Sequence, residues 1–365
     1  METQKPYGFT PSKDTFIDKL IVHAGAFHAD DVMCAVIAKT INPDVKIERT
    51  YKVTPDMEAP GVLIADIGMG MYDHHQNDAE LRPDGHKHAA IGLMMKDDRI
   101  REKFLEKIHD ISQGREPQVL SQLMEEIAKI EDIDNGNVDK EATHIITEYA
   151  GYSNPVWDSD KSWDDAFSEC VDEVKSLWLD TMVQGQDYRN TPQNAKMAAL
   201  LDQKKEIYEA AGKRCAHIMD KVLNNMEDHV AILPQGMPWA EYLVPSEAEF
   251  VIFPSNRGGY ALQCVPPELG SFEKKVELPD WSQNKPEGCI FAHMGRFFAS
   301  FDTLENAVRA AKNIERGKTM ETSHKTSLDE RLKIAKKQCE ESKKTKPSTH
   351  NDGNRGQDRG EREER

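Results

Sequence analysis

The order of apolar and polar positions divides the chain into two differently patterned regions and a charged end. Short apolar runs near residues 19–22, 45–50 and 61–66 are too brief for helices and predict strands. Between and after them, longer periodic stretches predict helices near 31–40 and 88–110. A further helix is expected over about 117–133, where Val119, Leu120, Leu123, Ile127 and Ile130 recur at helical spacing and Asn135-Gly136 supplies the stop. Strand–helix alternation of this kind predicts an α/β domain with a parallel sheet, over about residues 15–192. Residues 193–226 read as bridging helices with a break at Gly212. A smaller mixed α/β domain is then expected over 227–316, with strands at 229–233, 250–253, 260–265 and 289–293 and a closing helix over 303–314. From 317 to 365 the chain is rich in Lys, Glu, Arg, Asp, Ser and Gly, a composition expected to be largely disordered.

The first strand ends at His23, and the segment from there to Asp31 is dense in metal-binding side chains: His23-Ala-Gly-Ala-Phe-His28-Ala-Asp30-Asp31. The third strand ends in Asp66, and Asp73-His74-His75 comes soon after in a polar loop. In parallel α/β sheets, clefts lie beyond the strand C-termini. A single His or Asp there is usually a cap or a surface group. Three such groups, each placed after a strand or in the adjoining loop, point to a metal site. Imidazole and carboxylate donors suit Mn, Zn or Fe.

At these residues the chain resembles the DHH phosphoesterase superfamily. The resemblance is closer to the branch of metal-dependent exonucleases typified by the melanocyte-proliferating-gene protein. It is carried by His23 to Asp31, Asp66, Tyr72 to Gln76, Arg82-Pro-Asp-Gly85, Ala89-Ala-Ile-Gly-Leu93 and Asp132-Ile-Asp134-Asn-Gly136, and extends weakly over about residues 16–316. It implies two divalent cations, with Mn²⁺ favoured and Mg²⁺ admissible, held by His23, His28, Asp30, Asp66, His74 and Asp132. Asp66 would be the bridging carboxylate, Asp73 would orient a histidine, and His75 would face substrate phosphate. Asp31 is left adjacent to the ligands, and Asp134 as a supporting or capping residue. In the second domain His293 and Arg296 are expected phosphate contacts. Many relatives carry Gly-Gly in the next loop, where this chain reads Gly295-Arg-Phe-Phe-Ala-Ser300. Trp157 and Trp163 could stack a base, but packing is the commoner use of such residues.

Composition narrows these readings. A formal net charge of −17 argues against a generally basic nucleic-acid surface while leaving room for a local one. The six cysteines form no CxxC pair and read as reduced thiols. No signal-peptide core and no run of transmembrane length is evident, so a soluble, cytoplasmic protein is expected. The activity implied is phosphodiester hydrolysis, as a 3′–5′ exonuclease on RNA or short oligonucleotides. The alternatives are hydrolysis of a small phosphoanhydride or cyclic dinucleotide, and a non-catalytic metal- or nucleotide-binding regulator.

Overall fold

In a computed structural model the chain divides into two compact units, Met1–Tyr208 and Glu209–Arg365. The structure describes residues 7–76, 80–138, 142–185, 191–255, 258–281 and 284–315, with residues 333, 336 and 337. The charged end beyond 317 therefore lies almost wholly outside the described residues.

The first unit opens with β1 (Lys19–His23), α1 (Ala29–Ile41), β2 (Lys46–Thr50) and β3 (Val62–Ile64). These strands form a parallel sheet in the order β2-β1-β3. The chain leaves β1 to one side for β2 and returns to the other side for β3. The C-termini of β1 and β3 therefore flank the point where strand order reverses, the position at which such sheets place ligands. His23 ends β1, and Asp66 stands two residues past β3.

Among the described residues, seven helices complete this unit's packing: α2 (Ala90–Lys96), α3 (Asp98–Ser112), α4 (Glu116–Asp134), α5 (Ile145–Ser153), α6 (Trp163–Val174), α7 (Asp180–Val183) and the start of α8 (Pro192–Asn224). The stretch expected as one helix over 88–110 is two, because Asp97 ends α2 and caps α3 by accepting from the Arg99 N–H. A wider turn over Lys175–Leu179 joins α6 to α7 and lets three successive residues, Leu177, Trp178 and Leu179, all face inward. No break occurs at Gly212. α8 runs through it, and a β-carbon there would meet open space.

α1 is buried on every side, from Ala29 to Ala38, between the sheet and the helical layer. Its Val32, Met33, Val36 and Ile37 join Leu20, Leu63, Phe104, Ile127, Tyr149, Phe167 and Trp178 in one core. Full burial of side chains of this size stabilises by about 1.5–3 kcal/mol each. Trp163 is in that core too, so it packs instead of offering a free face to a base.

The second unit carries β4 (Val230–Ile232), the short α9 (Ala240–Leu243), β5 (Phe250–Pro254), β6 (Tyr260–Cys264), β7 (Cys289–Ala292), β8 (Phe298–Phe301) and α10 (Leu304–Glu315). Its sheet runs β4-β5-β6-β8-β7, parallel between β4 and β5 and antiparallel elsewhere. Leu304, Ala307, Val308 and Ala311 form the buried stripe of α10 against it. The second half of the segment expected to be a loop at 295–300 belongs to β8, paired on both sides, with Ala299 and Phe301 buried. Phe and a β-carbon at alternate positions suit a strand, where paired glycines would favour an open loop. Among the described residues no helix is long and apolar enough to cross a membrane.

Candidate metal centre

Four segments converge at the C-terminal edge of the parallel sheet. β1 delivers His23, the start of α1 delivers Asp30 and Asp31, the turn after β3 delivers Asp66, and the next loop delivers His74 and His75. The end of α4 adds Asp134. Three groups of ligating atoms lie within 4.8 Å of one another: Asp66/His74/His75, His23/Asp31/Asp66, and Asp30/His74/Asp134.

Asp66 joins them. Its Oδ2 lies 3.2 Å from His23 Nε2 and its Oδ1 lies 3.2 Å from His74 Nε2. The residue has φ +58°, a left-handed conformation that Asp tolerates better than most side chains. Its N–H donates to the Tyr72 carbonyl at 2.9 Å, which ties the end of β3 to the histidine loop. Around this hub, His23 Nε2 is 2.7 Å from Asp31 Oδ2, and His74 Nε2 is 3.4 Å from Asp134 Oδ2 and 3.8 Å from Asp30 Oδ2.

The supports are specific. Asp30 accepts from the N–H groups of Ala90 and Ile91, at 2.8 and 2.7 Å, and so caps α2 from outside. The His28 N–H donates to Asp31 Oδ1 at 3.0 Å, leaving Oδ2 to face His23. His74 Nδ1 lies 3.3 Å from Asn135 Oδ1, and Asn135 in turn donates to the carbonyls of Lys87 and Glu131. Asp73 Oδ1 lies 2.7 Å from His75 Nδ1 and accepts the His75 N–H, while Oδ2 accepts from the Met69 N–H. Asp73 thus orients His75, whose side chain stays 38% exposed.

The electrostatics reflect four carboxylates and three imidazoles packed together. Burial, then the fields of Asp66 and Asp134, pushes the Asp30 carboxyl well up, against the pull of His74 and the Ile91 amide. Burial alone would lower His23, but Asp31 and Asp66 outweigh it and hold the imidazole charged well above its ordinary range. Burial also opposes charge on His74, yet Asp66, Asp30 and Asp134 push it up to about 9. Burial would raise Asp66; its two histidine neighbours instead hold it well below the usual carboxylate range.

The donor set fits a cation. Asp31 Oδ2, Asp66 Oδ1 and His74 Nε2 are buried without a well-aligned hydrogen bond, although Asp31 Oδ2 faces His23 Nε2 at 2.7 Å and Asp66 Oδ1 faces His74 Nε2 at 3.2 Å. Buried polar atoms without partners are costly unless something satisfies them. Mixed carboxylate and imidazole donors are those of a divalent transition metal.

Two residues expected as ligands stand elsewhere. His28 is the exposed N-cap residue of α1; its ring is 5.8 Å from the His23 ring and it belongs to none of the three groups. Asp31, one turn further in, faces His23 instead. Asp132 lies 2.6 Å from Arg82 and 2.8 Å from His86, while Asp134 points into the cluster. The sequence does hold a signal for Asp134. It continues the buried stripe Leu123, Ile127, Ile130 along α4 at seven-residue spacing, whereas Asp132 lies off it. In the second unit His293 is exposed, accepts from the Gly295 N–H and stacks on Phe297 at 4.4 Å. Arg296 donates to the Leu278 carbonyl at 2.7 Å and pairs with Glu277 at 3.1 Å.

Known proteins are similar in sequence to this chain over most of its length. The MYG1 exonuclease of Rattus norvegicus is 23% identical over 346 residues, spanning 80% of this chain and 82% of the rat protein. The MYG1 protein of Dictyostelium discoideum is 23% identical over 369 residues, spanning 85% of this chain and 98% of its own. Among solved structures, the pGpG-specific phosphodiesterase PggH from Vibrio cholerae matches with a TM-score of 0.39 and 13% identity, over 82% of this chain and 98% of that one. The model of the family described as Uncharacterised protein family (UPF0160), the MYG1 exonuclease family, matches residues 19–314, and the chain belongs to that family.

Proposed function

We propose that this hydrolase is a metal-dependent phosphodiesterase of the DHH type, acting as a 3′–5′ exonuclease on RNA or short oligonucleotides. The observation that carries the reading is the convergence of His23, Asp30, Asp31, Asp66, His74 and Asp134 in overlapping groups whose ligating atoms lie within 4.8 Å. Relatives named as exonucleases at 23% identity support the same reaction class.

Divalent cations, two with Mn²⁺ preferred, would supply an activated water and offset charge developing on the attacked phosphate. His23, Asp31 and Asp66 would hold one, and Asp30, Asp66, His74 and Asp134 the other. Asp66 would serve both, since its two oxygens face different imidazoles. His75 has Nδ1 held by Asp73, which turns Nε2 toward a phosphate oxygen, to which it would donate when both ring nitrogens carry a proton. Met69 donates to the far oxygen of Asp73 and fixes that pair. His293 and Arg296 are proposed to contact the substrate beyond the scissile bond, acting on binding and not on the water.

An end-labelled oligoribonucleotide incubated with Mn²⁺ tests the reading. Stepwise shortening from the 3′ end, abolished by a chelator, is expected. Failure to cleave any phosphodiester with Mn²⁺, Mg²⁺ or Zn²⁺ would refute it, and cleavage confined to dinucleotides would replace the exonuclease by a small-molecule hydrolase.

A further inference from the structure

The loop between β1 and α1 is tied to β2 at its start, where the Ala24 N–H donates to the Thr50 carbonyl at 2.8 Å, and is then held by two side chains that the ligand set does not include. Arg49, at the end of β2, has a side chain only 2% exposed. Its Nη2 donates to the Gly25 carbonyl at 2.8 Å, at a point where Gly25 has φ +96° and no other residue would turn the chain as easily. The guanidinium sits over the rings of Phe27 and Phe167, 5.4 and 4.7 Å from their centroids, and pairs with exposed Asp164 at 3.3 Å. Phe27 and Phe167 meet edge to face at 5.3 Å.

Asn154, just past α5, holds the next residues. Its Oδ1 accepts the Phe27 N–H at 2.9 Å and its Nδ2 donates to the Phe27 carbonyl at 2.8 Å, so one amide satisfies both backbone groups of Phe27. The same Nδ2 reaches the Ala150 carbonyl at the end of α5, and Tyr208 donates to the Asn154 carbonyl. The loop is thus clamped at Gly25 and Phe27, between His23 on one side and His28 and Asp31 on the other. The other ligands rest on different supports. Asp30 is fixed by the first amides of α2, and His74 by Asn135.

We infer that Arg49 and Asn154 are positioning residues for one half of the metal centre, holding the 24–28 loop so that His23 and Asp31 face Asp66, while Asn135 and the α2 terminus hold the other half. The inference rests on the proposed two-cation reading. The two halves share Asp66 but are supported separately, so each can be weakened without the other. Partners that orient metal ligands typically change affinity by about 10- to 100-fold when removed.

Stoichiometric Mn²⁺ titration of the stripped full chain, read by equilibrium dialysis and by the magnetic coupling between adjacent Mn²⁺ ions, tests this without recourse to turnover. The wild type is expected to bind two ions that couple. Arg49→Met and Asn154→Asp should each weaken one ion about 10- to 100-fold, keep the other within about twofold and abolish the coupling at sub-saturating metal. Asn154→Asp removes the amide donor to Phe27 at constant size. Arg49→Lys, which keeps a donor and a charge, should recover part of the loss. Asn135→Ala should weaken the opposite ion, so a double variant with Arg49→Met loses both. Circular dichroism on each variant separates unfolding from selective loss. Two ions weakened equally by Arg49→Met, or neither weakened, overturns the clamp while leaving the two-cation reading intact. A wild type that binds no Mn²⁺ overturns both.

Discussion

Cation uptake at this site must expel protons, and the size of the effect is set by His74. Its imidazole is held at about 9 by Asp66, Asp30 and Asp134 despite burial. A protonated imidazole cannot ligate, so cation and proton compete for Nε2. At pH 7 this competition should weaken apparent Mn²⁺ affinity about 100-fold relative to its value well above pH 9, and about tenfold at pH 8. His23, also held above its ordinary range, adds to the slope if it loses a proton as well. Calorimetric titration of stripped protein with Mn²⁺, in buffers of different ionisation enthalpy at pH 7, 8 and 9, counts the protons released. At least one is expected at pH 7. Asp66→Asn removes the carboxylate nearest to His74, so proton release and slope should both shrink. The stability of the stripped protein moves the opposite way. A group whose folded value is raised contributes fully below its unfolded value, near 6.5, and loses that contribution as pH rises through about 9. The stripped protein should therefore lose stability from pH 7 to 9, by about 2 kcal/mol, while Mn²⁺ binds more tightly over the same window. An apparent affinity that is flat from pH 7 to 9, with no protons released, would refute this account.

Four further outcomes are expected. Asp66→Asn keeps the left-handed turn, which Asn tolerates, but loses the anion between two imidazoles, so kcat at saturating Mn²⁺ should fall by more than about 100-fold; a variant above a tenth of wild-type activity removes Asp66 from the centre of the site. Asp134→Asn should lower metal affinity, whereas Asp132→Asn should leave it near wild type and instead lower Tm through the loss of its Arg82 and His86 partners; equal metal loss in both would show that α4 presents both side chains to the cation. Gly92→Ala drives a β-carbon into Glu131 Oε1, well inside van der Waals contact, so it should lower thermal stability by about 1–3 kcal/mol, and an unchanged melting curve would contradict the packing of α2 on α4. Arg296→Ala should raise KM for an oligonucleotide about 10- to 150-fold with metal affinity unchanged, and unchanged kcat/KM on every accepted substrate removes it from the binding surface.

The parallel sheet and the position of the site at its C-terminal edge are legible in the sequence because short apolar runs end directly in His23 and near Asp66. Burial of one face leaves little freedom in where such a strand can end. The helical members of the cluster are harder to read. On α1 every residue from Ala29 to Ala38 is buried, so periodicity does not say which acidic side chain turns toward the strand end, and the motif alone favours His28 over Asp31. On α4 Asp132 and Asp134 are two positions apart and leave the helix about 200° apart, so a motif match cannot replace a choice of face. The division of 88–110 depends on Asp97 serving as the end of one helix and the cap of the next, which apolar spacing does not encode. β8 is hidden from apolar spacing because Phe298-Ala-Ser-Phe301 is only four residues long and directly follows the turn at 294–297.

Asp30 has a further consequence. Its two oxygens are already engaged by the amides that begin α2, so this carboxylate is in place before a cation arrives. The conformational entropy of fixing it is lost when the domain folds and is not lost again on binding, the general advantage of preorganisation. Metal exchange at such a site need not wait for a flexible acidic side chain to find its rotamer. The same fixity limits adaptation: a cation that needs a longer reach from Asp30 must first pull it from the helix that it caps.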